Sequence, residues 1–195
     1  MKILFIRHGE TDWNKQCRVQ GITDIPLNQH GIETSTQQGR KLNAFNIVAA
    51  YSSQLSRAYQ TGCLMLAHSK HKHLTIQQDV RIMERSFGQL EGYYFQDYYA
   101  SLKTELGKTI ETEQQVHKRI KEFLLECYQQ HKHETIVVVS HGGCIKHFLQ
   151  FENLIPSKDI LCSDDQYKKY RHIPNNSIHE LEYNGTHFTL LNFNL

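Results

Sequence analysis

The chain has 195 residues, of which 39% are hydrophobic and 22% are charged, with a formal net charge of +2 and a mean hydropathy of -0.56. This length and composition predict one soluble globular domain spanning residues 1–195, and the near-neutral charge gives no support for broad nucleic-acid binding. No apolar stretch approaches the roughly 18 residues of a membrane span, and the N-terminal apolar run is too short for a signal peptide.

Cysteine usage indicates a reducing compartment. The five cysteines are widely spaced and form no CxxC pair: Cys17, Cys63, Cys127, Cys144 and Cys162. This pattern disfavours disulfides and a zinc–cysteine site, so we expect a cytoplasmic protein whose cysteines are small buried or half-buried thiols. The histidines of residues 68–73 alternate with lysines, which repel cations, so we expect a solvated loop there and no metal.

Hydrophobic patterns predict the order of strands and helices. Short apolar or alternating runs predict strands at residues 2–7, 47–51, 74–77, 135–139, 178–183 and 187–191. Helical spacing and capping residues predict helices at residues 11–15, 28–42, 55–67, 113–130 and 142–149, with residues 79–95 irregular. The alternation predicts an α/β fold of three α/β/α layers. Its central sheet is mostly parallel, with helices on both faces and an antiparallel edge strand from the hairpin at Asn184-Gly185.

Three predicted strands end at side chains that suit an anion. Arg7 and His8 close the first strand, Arg57 follows the second, and His141 follows the strand at 135–139. Ligands bind beyond the carboxyl ends of strands in open α/β sheets, where these residues would meet. Arginine offers planar paired donors that match phosphate oxygens, so the sequence predicts a phosphate site at this edge.

The residues alone leave open the chemical role of each histidine and whether each single residue belongs to a site at all. A histidine there can donate hydrogen bonds to phosphate, or it can attack phosphorus through an unprotonated ring nitrogen. Taken singly, a histidine after a strand is usually a turn residue and an arginine at a helix start is usually solvated; only their joint placement favours a site. We also expect backbone amides at the helix starts after Gly9 and Gly142 to add positive partial charge.

Several ordered segments resemble the histidine phosphatase superfamily, the phosphoglycerate mutase-like family. They are RHGETDWN at 7–14, QGITDIPL at 20–27, SQLSRAYQT at 53–61, ERSFGQLEG at 84–92, SHGG at 140–143 and PNNSI at 174–178. The resemblance spans most of the chain and implies a phosphoglycerate mutase-like α/β fold. It also implies a phosphoryl-transfer enzyme that needs neither a metal nor another cofactor.

The resemblance assigns roles residue by residue. His8 would be the nucleophile that becomes a phosphohistidine, and Glu84 would be the general acid for the leaving oxygen and then the base for water. The residues expected to hold the phosphoryl oxygens are Arg7, Arg57, His141 and Asn14. Apart from the roles that the resemblance implies, we expect further substrate contacts from Gln20, Gly21, Arg85 and Gly142.

Two departures bear on the reaction. The P-x-G-E-S stretch of the family is reduced here to Glu111-Thr112, with Arg119 at the family spacing, so the loop over the pocket is expected to be shorter or differently bent. The arginine pair by which the mutase branch grips phosphoglycerate is missing between Gly92 and Glu113. This favours a phosphatase of small phosphorylated metabolites, with a mutase or a non-catalytic phosphate-binding module as alternatives. The expected partner is a small-molecule phosphate ester, with no nucleic acid or membrane, and the oligomeric state is left open between monomer and dimer.

Overall fold

The structure, a computed structural model, describes residues 1–156 and 172–195, so Cys162 lies outside the described residues. The strands in these two ranges are β1 (Lys2–Arg7), β2 (Ile47–Ser52), β3 (Ile76–Gln78), β4 (Thr135–Ser140), β5 (Ile178–Tyr183) and β6 (Phe188–Asn192). The α-helices in the same ranges are α1 (Asp12–Lys15), α2 (Gln29–Gln38), α3 (Ser56–Ala67), α4 (Phe95–Ser101), α5 (Glu113–Gln130) and α6 (Gly142–Phe151).

The six strands form one sheet in the order β3-β2-β4-β1-β5-β6. The first four strands in this order are parallel to one another, and β5 and β6 add antiparallel pairing on the far side of β1. The predicted α/β fold is therefore confirmed. Arg7 pairs with Ser140, and Ser52 pairs with Val139, so β1, β4 and β2 end level with one another at one edge of the sheet.

Helices cover both faces of the sheet. Successive side chains of a strand point to opposite faces, and β1 follows this rule with fully buried residues on both. Phe5 lies in a core with Phe123 of α5 and Phe148 of α6, whereas Ile6 lies in a second core with Met65 of α3. Burying each of these side chains stabilises the fold by about 1.5–3 kcal/mol.

The structure differs from the sequence prediction at two helices. Helix α4 is not among the predicted helices; its Tyr98 packs in a small separate core with Val19 and Leu90. Helix α2 ends at Gln38 and is followed by a 3-10 turn, Gly39–Ala44. The chain passes so close to α3 there that a Cβ on Gly39 would lie 2.5 Å from the Met65 carbonyl oxygen.

The loop of residues 68–73 is docked against residues 42–46, where His71 is buried. The Nε2 atom of His71 lies 3.0 Å from the Phe45 carbonyl and 3.2 Å from the Leu42 carbonyl, and the side chain is buried. The prediction of a solvated loop is therefore wrong for His71. Within residues 1–156 and 172–195, no cluster of three or more His, Cys, Asp or Glu is placed to hold a metal ion.

The four described cysteines are free. Cys127 and Cys144 are buried, which confirms the prediction for these two thiols, whereas Cys17 and Cys63 are exposed, so the prediction of buried or half-buried thiols is wrong for them. No helix in the described part of the chain is both long enough and apolar enough to cross a bilayer.

A buried histidine on β5 should make the fold sensitive to acid. Burial lowers the pKa of His179 to about 4 from a usual 6.5. The unfolded chain therefore binds a proton between these values that the folded chain does not, so stability falls as pH drops from 6.5 towards 4. We expect this one group to cost up to about 3 kcal/mol at the low end.

Urea unfolding of the wild type and of His179→Leu, followed from neutral to acidic pH, measures this loss. The variant should lose less stability on acidification than the wild type does. Since other buried histidines titrate in the same direction, only the difference between the two proteins reports on His179. Equal losses in both would contradict the prediction.

Candidate active site

The carboxyl ends of three neighbouring strands bring the predicted site together. His8 follows β1, His141 follows the adjacent β4, and Arg57 lies in the first turn of α3 after β2. The rings of His8 and His141 lie 5.1 Å apart between centroids, and both side chains are buried. The predicted meeting of the two histidines is confirmed, and it follows from the strand order β2-β4-β1.

His8 is held as a neutral ring with one free nitrogen. Its Nδ1 lies 2.6 Å from the carbonyl oxygen of Gly9. A carbonyl can only accept, so Nδ1 carries the proton and Nε2 keeps its lone pair. Burial, with the positive charges of Arg57 and Arg7, lowers the pKa of His8 well below 6.5. The ring is thus unprotonated at Nε2 near neutral pH, which is the form that can attack phosphorus.

The two arginines are buried and fixed by backbone carbonyls. Arg7 donates to the carbonyl of Ile173 at 2.5 Å, and Arg57 donates to the carbonyls of Gly21 at 2.7 Å and Thr23 at 2.9 Å. Burial lowers the pKa of Arg7 to about 10 and also lowers the pKa of Arg57, in each case partly offset by Glu84. Both groups stay cationic at neutral pH, and their two charges exceed the single carboxylate of Glu84.

Three buried nitrogen atoms at this site have no partner in the described part of the chain. They are Nε of Arg7, Nε of Arg57 and Nδ1 of His141. Buried polar atoms are nearly always hydrogen-bonded, because leaving one unpaired costs about 1–3 kcal/mol. The oxygens of a bound anion can accept hydrogen bonds from the two guanidinium nitrogens, and from Nδ1 of His141 when that atom carries the proton.

Glu84 caps the helix that follows His141. Its carboxylate accepts hydrogen bonds from the backbone amides of Gly143 and Cys144, each at 3.1 Å, and from that of Arg85 at 2.8 Å. A carboxylate at a helix N-terminus is favoured by the helix dipole. A Cβ on Gly143 would lie 2.6 Å from Glu84 Oε1, so this glycine is required for the approach.

An ion pair supports the segment that carries Glu84. Arg119 contacts Glu111 at 2.7 Å and donates to the carbonyls of Arg81, Met83 and Glu84. The remnant of the family motif, Glu111 with Arg119 eight residues later, therefore still organises this part of the site. The missing proline and glycine do not remove that contact.

Glu91 fixes the loop that positions Arg57. Its carboxylate accepts hydrogen bonds from the amides of Ile22 at 3.0 Å and Thr23 at 2.8 Å, and from the Thr23 hydroxyl. Gly21 has φ +60, and a Cβ there would lie 2.1 Å from Glu91 Oε1. Arg57 thus holds the carbonyls of this loop, and Glu91 holds the amides of the loop. A side chain at position 21 would collide with Glu91, which explains the glycine there.

The remaining predicted contacts divide into two groups. Asn14 accepts hydrogen bonds from the Thr11 amide at 3.2 Å and the Asn175 side chain at 3.2 Å, and Gln20 accepts from the Thr11 hydroxyl at 2.9 Å. Both residues lie in the segment next to His8. Their side-chain nitrogens, Nδ2 of Asn14 and Nε2 of Gln20, make no hydrogen bond in the described part of the chain.

Arg85 and Gly142 have structural partners instead. Arg85 donates to the Glu111 carbonyl at 2.6 Å and pairs with Glu113 at 3.4 Å, so its guanidinium is engaged at the start of α5. Gly142 allows close approach of Arg7, whose Nε would lie 3.1 Å from a Cβ at this position. Among the described residues, no hydrogen bond joins the Arg85 head group to His8 or to His141.

Three backbone amides near the two histidines already have partners within the protein. The Gly9 amide donates to Thr61 Oγ1 at 2.9 Å, and the amides of Gly143 and Cys144 donate to Glu84. They serve to fix side chains of the site and are not free for a ligand.

Sequence reasoning missed several positioning residues. Asn175 places its side-chain amide 3.0 Å from the His8 carbonyl and 3.1 Å from the Gly9 carbonyl, and Ser53 lies 2.8 Å from His141. Both fall in segments that the resemblance includes, so their presence there was the only available signal. Their partners are distant in sequence and could not be assigned without the fold.

Comparison with known proteins agrees with this geometry. The chain matches the family model of the histidine phosphatase superfamily (branch 1) over residues 3–195. The chain therefore belongs to the histidine phosphatase superfamily.

Individual relatives include both phosphatases and mutases. The "Uncharacterized phosphatase PhoE" of Bacillus subtilis is 29% identical over 143 residues, which cover 73% of this chain and 72% of that protein. The 2,3-bisphosphoglycerate-dependent phosphoglycerate mutase of Bacteroides fragilis is 37% identical over 93 residues, covering 47% of this chain and 38% of that protein. A solved mutant phosphoserine phosphatase of Entamoeba histolytica, in complex with phosphoserine, superposes with a TM-score of 0.78 at 27% identity, covering 99% and 96% of the two chains.

Proposed function

We propose that the protein is a metal-independent phosphomonoesterase that acts on a small phosphorylated metabolite through a phosphohistidine at His8. The observation that carries this proposal is the neutral His8 ring with a free Nε2, set among buried donors without partners. Phosphoryl transfer needs mainly in-line positioning and stabilisation of charge on the equatorial oxygens. The cationic side chains Arg7 and Arg57 supply that charge from the protein itself.

The reaction would proceed in two steps. In the first, Nε2 of His8 forms a bond to phosphorus and the ester P–O bond breaks. Glu84 enters this step as the carboxylic acid, gives its proton to the leaving oxygen and is left as the carboxylate. In the second, water attacks phosphorus, Glu84 takes the proton of the water, and the P–N bond breaks to release phosphate and free His8. Arg7, Arg57 and His141 would hold the non-reacting oxygens through both steps.

Phosphatase activity is favoured over mutase activity by the segment beyond Gly92. Residues 93–112 contain no arginine; their cations are Lys103 and Lys108, and Lys108 pairs with Glu105 at the surface. Outside this segment, Arg85 pairs with Glu113. The segment therefore lacks the arginine pair that would grip the carboxylate of a phosphoglycerate and keep it bound between two transfers. Similarity to mutases keeps interconversion of phosphoglycerates as the second candidate.

Phosphate release from p-nitrophenyl phosphate in the presence of a chelator tests the proposal. We expect turnover across about pH 5 to 8, because the nucleophile is already neutral there. A panel of phosphorylated metabolites, including phosphoserine, sugar phosphates and phosphoglycerates, ranked by kcat/KM, then identifies the substrate.

Three outcomes would count against the proposal. Turnover that appears only when a divalent metal is added contradicts metal independence. Interconversion of 2- and 3-phosphoglycerate without net phosphate loss identifies a mutase. Phosphate binding by the folded protein without hydrolysis of any ester identifies a binding module.

A further inference from the structure

Ser53 contacts the second histidine of the site from the end of the neighbouring strand. Its Oγ lies 2.8 Å from His141 Nε2, although the two residues are 88 positions apart. The Ser53 amide donates to the Val139 carbonyl at 3.0 Å, which ties the residue to the strand that leads into His141. Both side chains are fully buried. The hydrogen bond between Ser53 and His141 is thus buried within the site and shielded from solvent.

The hydrogen bonds of Ser53 determine which way its proton points. The Ser53 oxygen already accepts a hydrogen bond from the Leu55 amide at 3.2 Å. His141 Nε2 is the only acceptor for the hydroxyl proton among the hydrogen bonds of the described residues. If Ser53 donates to Nε2, the imidazole proton of His141 must sit on Nδ1.

The opposite tautomer leaves two buried groups unpaired. A proton on Nε2 would point at the Ser53 oxygen, and the hydroxyl proton would then lose its acceptor. Nδ1 of His141, which has no partner in the described part of the chain, would present a lone pair. With the proton on Nδ1, only that N–H is unpaired, and a bound anion satisfies it.

We propose that Ser53 is a positioning residue that holds the proton of His141 on Nδ1, so that this histidine meets the phosphoryl group as a hydrogen-bond donor. The role of Ser53 in turnover rests on the proposed function, whereas the position of the proton on His141 does not. His8 and His141 then share one tautomer and use opposite nitrogens. His8 offers the lone pair of Nε2 for attack, and His141 offers the N–H of Nδ1 to an oxygen. A site with two lone pairs facing the phosphate would repel it.

Nitrogen NMR of histidine-labelled protein at neutral pH tests the tautomer in the free protein. The wild type should show His141 protonated at Nδ1, with the resonance assigned by its loss in His141→Gln. Ser53→Ala should move the proton towards Nε2, and Ser53→Thr, which keeps the hydroxyl, should retain the wild-type pattern. Ser52→Ala is the matched control, because Ser52 is a buried neighbouring serine whose hydroxyl donates to the Ser53 carbonyl and not to His141.

Binding of inorganic phosphate supplies a second readout that needs no turnover. We expect the Kd for phosphate to rise about tenfold or more in Ser53→Ala, because one hydrogen bond to a charged oxygen is lost. The Kd should stay close to the wild-type value in Ser52→Ala. For an active enzyme, kcat should fall together with affinity in Ser53→Ala and recover in Ser53→Thr.

The outcomes separate this inference from the proposed function. A wild-type His141 protonated at Nε2 overturns the inference, and so does an unchanged tautomer in Ser53→Ala. If Ser53→Ala does not fold, the wild-type spectrum and Ser53→Thr still decide between the tautomers. An Nδ1 proton that depends on Ser53, in a protein that hydrolyses no ester, supports the inference while overturning the proposed function.

Discussion

Replacing His8 with alanine should remove phosphoester hydrolysis, lowering kcat/KM by about four orders of magnitude or more. The variant lacks the nucleophile of the proposed mechanism, whereas the cationic residues proposed to bind the ester remain. Substrate or inorganic phosphate should therefore still bind while turnover stops. Initial rates with p-nitrophenyl phosphate and equilibrium binding of phosphate measure the two effects separately.

His179→Leu is the matched control for this experiment. His179 is also a buried histidine with a lowered pKa, but its ring contacts Ser177 and Phe193 on the β5 side of the sheet. It should retain wild-type turnover at neutral pH. Quenched reactions with labelled substrate should show acid-labile, alkali-stable phosphate on the wild type and none on His8→Ala. Turnover in His8→Ala close to the wild-type rate would refute the covalent route.

Replacing Glu84 with glutamine should separate the two proton transfers. For alkyl phosphates, whose leaving oxygen must be protonated, kcat should fall by about two to three orders of magnitude. For p-nitrophenyl phosphate the first step needs little acid assistance, because nitrophenolate is a stable anion. The second step still lacks its base, so the phosphoenzyme should accumulate.

Rapid mixing of Glu84→Gln with p-nitrophenyl phosphate therefore should give a burst of one nitrophenolate per enzyme, followed by slow turnover. Glu152→Gln is the control, because Glu152 is a well-bonded carboxylate that pairs with Lys121 and His117 at the end of α6. Glu152→Gln should turn over p-nitrophenyl phosphate at the wild-type rate, without a burst of nitrophenolate. Equal losses for alkyl and nitrophenyl esters, without a burst, would assign Glu84 a purely structural part as the cap of α6.

The strands and the cationic, anion-binding character of the site could be predicted because their signals are local. Apolar runs that end in Arg7-His8 and in Ser140-His141 indicate buried strands followed by turns, and both strands form as predicted. Parallel strands that end level with one another must bring their following residues to one edge. The meeting of His8, Arg57 and His141 follows from that rule and from the strand order.

Other features depend on contacts that no local pattern carries. In helix α4, Tyr98 packs in a small core with Val19, a residue from a distant segment of the chain. Arg85 is a charged residue beside Glu84 in sequence, but Glu113 engages its head group across the fold. The sequence shows the charge of Arg85, but only the fold shows that its head group lies at the start of α5; its substrate contact stays a prediction.

The amino-acid sequence by itself determined the α/β layering, the strand ends and the set of cationic and imidazole side chains that occupy them. Only the tertiary structure decided the state of each group. The Gly9 carbonyl leaves Nε2 of His8 free, the amides of α6 hold Glu84, and Ser53 reaches His141 across 88 positions. The reason is physical: residue type sets which protons and charges are available, but hydrogen bonds and burial, which arise between distant segments, set where those protons lie.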